Sequence, residues 1–301
     1  MVCLMRARKI RIIGIPMDLG QSQRGVDMGP SAIRYAGLAS ALNGLGHTTF
    51  DSGNINIPGH YSLKNTSFQE RLTPIRQACE EAYRLGRKAV SDGEIPIFLG
   101  GDHSASVGTV GGVTHDGPAG LIWVDAHGDF NTPETSASSN VHGMSLALLL
   151  GEGAPELVNV GRPGPKVTPE QVVIIGVRDL DPEEKVMLKN SGCTIFTMRD
   201  IDELGMHKVL MKTLEQFADL PRIHLSFDMD AMDPIEAPGV GTPSNGGLTY
   251  REGQLIMETI ADTNKLHSLD IMEINPILDI GNRSAKMAVS LTASLFGKSI
   301  I

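Results

Sequence analysis

Short runs of Ile, Val and Leu recur along this chain, separated by segments whose apolar residues return every three or four positions. The runs Ile10–Ile15, Thr48–Asp51, Ile95–Leu99, Leu121–Asp125, Val172–Val177, Thr194–Thr197, Ile223–Asp228 and Ser268–Glu273 read as eight strands. Several are unbroken aliphatic stretches, the pattern of strands covered on both faces. The segments between them carry helix ends. A helix is expected from Ser31 to Leu42, after Gly29-Pro30 and before Gly44 and Gly46. Another is expected from about Pro74 to Val90, stopping at Asp92-Gly93. Asp181-Pro182-Glu183-Glu184 has the form of an N-cap followed by Pro and first-turn acids, and Thr249-Tyr250-Arg251-Glu252 that of a capping box.

Strands alternating with crossover helices imply an α/β fold with a mainly parallel sheet and helices on both faces. On counting alone, a closed eight-fold barrel competes. Either architecture gathers ligands at the carboxyl ends of the strands. No repeat or Pro/Ser-rich linker divides the chain, so residues 1–301 are read as one domain. The longest irregular stretches are Pro58–Ser67, Gly128–Asn140, Gly151–Thr168 and Ala231–Leu248. The second and fourth directly follow polar strand ends, where substrate loops are expected.

Composition narrows the partners. At 301 residues with net charge −9 and no long basic run, the chain is poorly suited to a phosphate backbone. Aromatics are only 4%, too few for a stacking platform. Cys3, Cys79 and Cys193 are odd in number and far apart, which argues for reduced thiols over a disulfide framework or zinc knuckle. The first nine residues lack the apolar core of a signal peptide, and no stretch of about 18 apolar residues occurs. A cytoplasmic location without a membrane partner is expected.

Two strand ends then change the picture. Asp125-Ala126-His127-Gly128-Asp129 follows one aliphatic run and Asp228-Met229-Asp230 closes another. If the strand persists, the side chains at i, i+2 and i+4 of the first motif share one side. His103, in Gly100-Gly101-Asp102-His103-Ser104, follows a third strand, where the two glycines permit a tight turn. A lone His or Asp at such a place is usually a hydrogen bonder or cap. Four Asp and two His together are harder to account for that way, because unpaired charges are costly to bury. Four carboxylates with neutral imidazoles carry formal charge −4, which two divalent cations would cancel. Oxygen and imidazole ligands without thiolate suit Mn2+, or another ion tolerant of octahedral geometry, better than structural zinc. Two such ions sharing carboxylates can hold a hydroxide that is nucleophilic at neutral pH.

These three strings, the second Asp pair extended as Ser226-Phe227-Asp228-Met229-Asp230-Ala231-Met232-Asp233-Pro234, resemble the three signatures of the ureohydrolases. The resemblance spans nearly the whole chain, from Gly20-Gln21-Ser22-Gln23-Arg24-Gly25-Val26 to Glu273-Ile274-Asn275-Pro276. It implies a three-layer α/β/α fold with a mainly parallel eight-stranded sheet, hence no barrel. It also implies hydrolysis of a guanidino compound to urea by a hydroxide bridging two Mn2+ ions, and a homotrimer or homohexamer. One ion would take His103, Asp125, Asp129 and Asp228, and the other His127, Asp125, Asp228 and Asp230. Asp129 would pass a proton to the leaving amine, His142 would relay protons to solvent, and Glu273 would hold the guanidinium.

The loops resemble the arginase branch of that family. Asn131-Thr132-Pro133-Glu134-Thr135-Ser136-Ala137-Ser138-Ser139-Asn140 is similar to the loop that grips the amino-acid end of L-arginine, through Asn131, Ser136 and Ser138 with Asn140 nearby. Asp181, and more distantly Glu184, would meet the α-ammonium, while His127 and Thr242 would border the substrate. Neutral donors for a carboxylate and an acid for an ammonium are what an α-amino acid demands. Ser139 stands where many arginases have Gly, so the backbone there must turn without one. Agmatinase and guanidinobutyrase chemistry are the near alternatives, and a decarboxylated substrate such as agmatine would leave the carboxylate-binding groups unused.

Overall fold

The structure is a computed structural model that describes residues 7–59 and 67–299. Cys3, His60 and most of the expected Pro58–Ser67 loop lie outside the described residues. All eight expected strands form: β1 (Lys9–Ile15), β2 (Thr48–Asn54), β3 (Ile95–Gly100), β4 (Gly120–Val124), β5 (Val172–Val177), β6 (Thr194–Thr197), β7 (Ile223–Asp228) and β8 (Leu266–Met272). They make one sheet in the order β2-β1-β3-β8-β7-β4-β5-β6, with every pairing parallel. Two free edges exclude the closed barrel.

Alternation along each strand divides the core into two layers. Ile10, Ile12, Ile122 and Val124 pack with Ile33, Leu42, Val209, Ile256 and Leu291 of the helices on one side. On the other side Ile13, Ile15 and Phe98 meet Leu72, Ile75 and Val107, while Leu121, Trp123 and Ile174 meet Val110, Leu146 and Leu188. Burying both faces of such strands is the main drive for the three-layer arrangement.

Three local expectations need correction. The segment expected as one helix from Ser31 to Leu42 is two, Gly29–Tyr35 and Leu38–Gly44, broken at Gly37, whose φ of 93° no helix accommodates. The next helix spans Phe68–Ser91, because Ser67 caps it by accepting from the Glu70 amide, and Pro74 is taken into its interior instead of starting it. Proline in a helix removes one hydrogen bond, a loss the buried face of a 24-residue helix can bear. Finally, β4 ends at Val124, so the strand does not continue through Asp125–Asp129.

The register explains why chemistry collects where it does. Leu99, Ile271, Phe227 and Val124 lie side by side across the four central strands β3, β8, β7 and β4. Asp125 and Asp228 are the next residues beyond that row. Glu273 and His103 follow on the neighbouring strands, so four chain segments deliver polar groups to one end of the sheet.

Candidate metal centre and substrate cavity

Each of these segments is bent by its own hydrogen bonds. After β4, Asp125 Oδ1 accepts from the His127 amide at 2.7 Å, and Asp129 takes a left-handed φ of 49°. The motif therefore converges by a turn and not by strand alternation. After β7, Asp228 Oδ1 accepts from the Asp230 amide at 2.8 Å. After β3, Asp102 accepts from the amides of Gly20 and Ser104, which throws His103 over the sheet end. Gly101 has no alternative here: a Cβ would sit 1.8 Å from the Met17 carbonyl oxygen. The two glycines are thus needed for close packing, and neither has a positive φ.

The result is a buried cluster. His103 Nδ1 lies 3.1 Å from Asp125, 3.2 Å from Asp129 and 3.0 Å from Asp228. His127 Nδ1 lies 3.4 Å from Asp125 and 3.2 Å from Asp230. Among the described residues, His103-Asp125-Asp129 and Asp125-His127-Asp230 are the groups with geometry able to hold a metal ion, and Asp125 belongs to both. One imidazole nitrogen cannot donate to three carboxylates at once. Accordingly His103 Nδ1 and Asp129 Oδ2 are buried without an aligned hydrogen-bond partner among the described residues. A cation among them would satisfy all of these atoms, so the donor set fits the divalent ions expected from the sequence.

Electrostatics agree. Burial opposes charge on His103, but Asp125, Asp129 and Asp228 override it and raise its pKa. Burial and the charge of Asp125 push Asp129 up to about 6, and burial with Asp230 and Asp125 raises Asp228. Asp125 is held low despite burial by its contacts with His103 and His127. Asp129 and Asp228 thus resist ionisation beside their neighbours, a penalty that a bound cation would relieve.

Several residues that sequence reasoning passed over support the cluster. The His103 ring stacks on Trp123 at 4.0 Å, and Trp123 Nε1 donates to Asp125 Oδ2 at 2.9 Å. His103 Nε2 is 2.9 Å from Ser226 Oγ, and Asp270 accepts from Ser106 and Thr109 behind it. His224 sits between Ser268 and Asp270. A signal was present: His224, Ser226 and Asp228 alternate along a strand that is otherwise apolar, and so do Ser268 and Asp270 beside them.

Glu273 is fully buried next to the cluster, with a left-handed φ of 64°. Its carboxylate accepts from the His103 amide at 2.9 Å and from Gln21 Nε2 at 2.8 Å, and lies 3.0 Å from His142 Nδ1. Burial disfavours charge on His142, yet Glu273 raises its pKa to about 9. Glu273 follows the central strand β8 and pairs with His142.

Above the cluster opens a cavity of about 320 Å3. His127 and Asp129 line it with Asn131, Ser136, Ser138, Asn140, His142, Asp181, Glu184 and Thr242. Every expected substrate contact except Glu273 therefore faces one space. Thr242 donates to Asp230 Oδ2 at 3.0 Å, and Asn131 Nδ2 to Asp181 Oδ2 at 3.1 Å. Asp181 caps its helix as expected, and Glu184 completes a capping box with it. Burial pushes Glu184 up to about 7, although the amides of Phe130 and Asp181 donate to it. Ser139 turns with φ 56°, the left-handed conformation its position demanded.

Comparison with known proteins points the same way. The Arginase family profile matches residues 8–297. The arginase of Bacillus subtilis (strain 168) is 47% identical, covering 98% of this chain and 99% of its own length. The native structure of Bacillus caldovelox arginase superposes with a TM-score of 0.94 at 46% identity, over 98% of this chain and all of that one. The arginase of Entamoeba histolytica, solved in complex with L-ornithine, does so with a TM-score of 0.90 at 30% identity, again over 98% of this chain and all of that one.

Proposed function

The chain belongs to the arginase family, and we propose that it hydrolyses L-arginine to L-ornithine and urea with two Mn2+ ions held by His103, Asp125, His127, Asp129, Asp228 and Asp230. The observation that carries this reading is the cavity itself. Its inner wall is the metal cluster, and its outer part offers neutral donors beside the carboxyl groups of Asp181 and Glu184. Those are complements for a guanidinium, an α-carboxylate and an α-ammonium, arranged along one 320 Å3 space. The complex of the Entamoeba histolytica relative with L-ornithine supports an amino acid as the ligand.

When bound, the ions supply Lewis acidity and lower the pKa of a water shared between them. The chain's own groups do the rest. Glu273 places negative charge beside the guanidinium, which orients its carbon toward the cluster. Asp129, which lines the inner end of the cavity, hands a proton to the departing amine nitrogen. His142 stands between Glu273 and the cavity and relays protons to solvent. Asn131, Ser136 and Ser138 bind the carboxylate, and Asp181 with Glu184 the ammonium. The loop Asn131–Asn140 would be wasted on agmatine, so arginine is preferred. In keeping with its family, the protein is proposed to be a cytoplasmic homotrimer or homohexamer.

Urea release from L-arginine and from agmatine, measured with wild type, Asp129→Asn and Asp228→Ala, tests the assignment. Wild type should prefer arginine, and both variants should lose turnover by at least about 100-fold. Preference for agmatine, or normal activity in either variant, would overturn it.

A further inference from the structure

Behind the cavity wall lies a cation that nothing above has used. Arg71, in the first turn of the helix Phe68–Ser91, is 5% exposed. Its guanidinium reaches away from its helix to two loops. Nη2 donates to the Ser139 carbonyl at 2.8 Å, and Nη1 lies 3.5 Å from the Leu19 carbonyl oxygen. Nε has no partner. Among the described residues no carboxylate lies within ion-pair distance of Arg71, and residues 60–66, just before its helix, contain no acid. The buried Asp102 carboxylate favours this charge from beyond ion-pair distance, while burial opposes it; a buried guanidinium without a direct counter-ion is costly, so its retention calls for a further compensating partner.

The two carbonyls belong to segments that border the cavity. Ser139 sits between Ser138 and Asn140, and the Ser139 amide donates to Ser136 Oγ at 3.0 Å. Leu19 precedes Gly20, whose carbonyl accepts from the His142 amide at 3.1 Å. Two residues on, Ser22 Oγ donates to Asn140 Oδ1 at 3.0 Å. Arg71 therefore fastens both segments from behind, and fixes the left-handed turn at Ser139 that aims Ser136 and Ser138.

We propose that Arg71 is a positioning and specificity-determining residue for the carboxylate end of the substrate. It holds the Ser136–Asn140 turn in its binding conformation and supplies, from behind neutral hydroxyl and amide donors, the positive charge that an α-carboxylate neutralises. This rests on the reading of the cavity as an arginine site.

The test is steady-state kinetics of Arg71→Met and Arg71→Lys with L-arginine. It is joined by competitive inhibition with L-ornithine and with 1,4-diaminobutane, which differs from ornithine only by the carboxylate. Arg71→Met should raise KM for arginine and the inhibition constant of ornithine about tenfold, with kcat within twofold and 1,4-diaminobutane unaffected. Arg71→Lys, which keeps the charge, should return KM to within about threefold of wild type even if the Met variant proves unstable. An unchanged KM in Arg71→Met, a loss confined to kcat, or equal weakening of ornithine and 1,4-diaminobutane would overturn the proposal. So would Arg71→Lys behaving no better than Arg71→Met. Absence of urea release by wild type would instead overturn the arginine reading.

Discussion

His103 shows how much one side chain depends on those behind it. Its ring is fixed by Trp123 on its face and Ser226 on its far nitrogen, leaving Nδ1 turned to three carboxylates. Outer partners of this kind typically control metal affinity by 10–100-fold. Ser226→Ala should therefore remain folded but bind Mn2+ at least about 10-fold more weakly in chelator competition; wild-type affinity would show that Ser226 only fills space. The metal ligands themselves were legible in the sequence because each lies within a short motif. Ser226, Asp270 and Gln21 were not, since a single polar residue in an apolar run acquires meaning only when the register shows what it faces.

Elements were legible where periodicity was strong, and less so where packing or a turn overrides it. The eight strands were recognised to within a few residues: the aliphatic runs occupy the middle of the sheet, and the more polar β2 and β6 its two edges. The helix boundaries at Gly37 and Pro74 were missed, since capping by Ser67 and a single positive φ decide them. Gly101 is the sharpest case of packing. Gly101→Ala should cost about 3 kcal/mol or more, because the new methyl meets backbone and cannot be relieved by a rotamer change; an unaltered urea midpoint would refute the close approach.

His267 makes a comparable point about the ends of elements. It bonds the Val113 carbonyl at the end of the helix Ser106–Val113, where a charged imidazole would be favoured. Burial outweighs that, and with help from Arg222 and His224 it lowers the pKa to about 4. The unfolded chain, near 6.5, binds more protons between these values, so stability is present above about pH 6.5 and is lost as pH falls toward 4. The drop in urea midpoint from pH 7 to pH 4.5 should be smaller in His267→Gln than in wild type. Equal drops would assign the acid sensitivity elsewhere.

At the scale of the molecule, the parallel sheet turns separate stretches of sequence into one site. β3, β8, β7 and β4 are neighbours in space although their order along the chain is different. The family resemblance assigned His127, Asp129, Asp181 and Thr242 to one substrate, and the fold brings all four into the lining of one cavity. The central claim is that this site hydrolyses L-arginine only when the His and Asp cluster holds its metals. It is tested most directly by stripping the protein with chelator and titrating Mn2+ back, while bound metal and urea release from L-arginine are followed together. Binding and activity should rise in parallel and saturate at about two ions per chain, with arginine hydrolysed in preference to agmatine throughout. Full urea release from the metal-free protein, or saturated metal binding without any, would contradict the account.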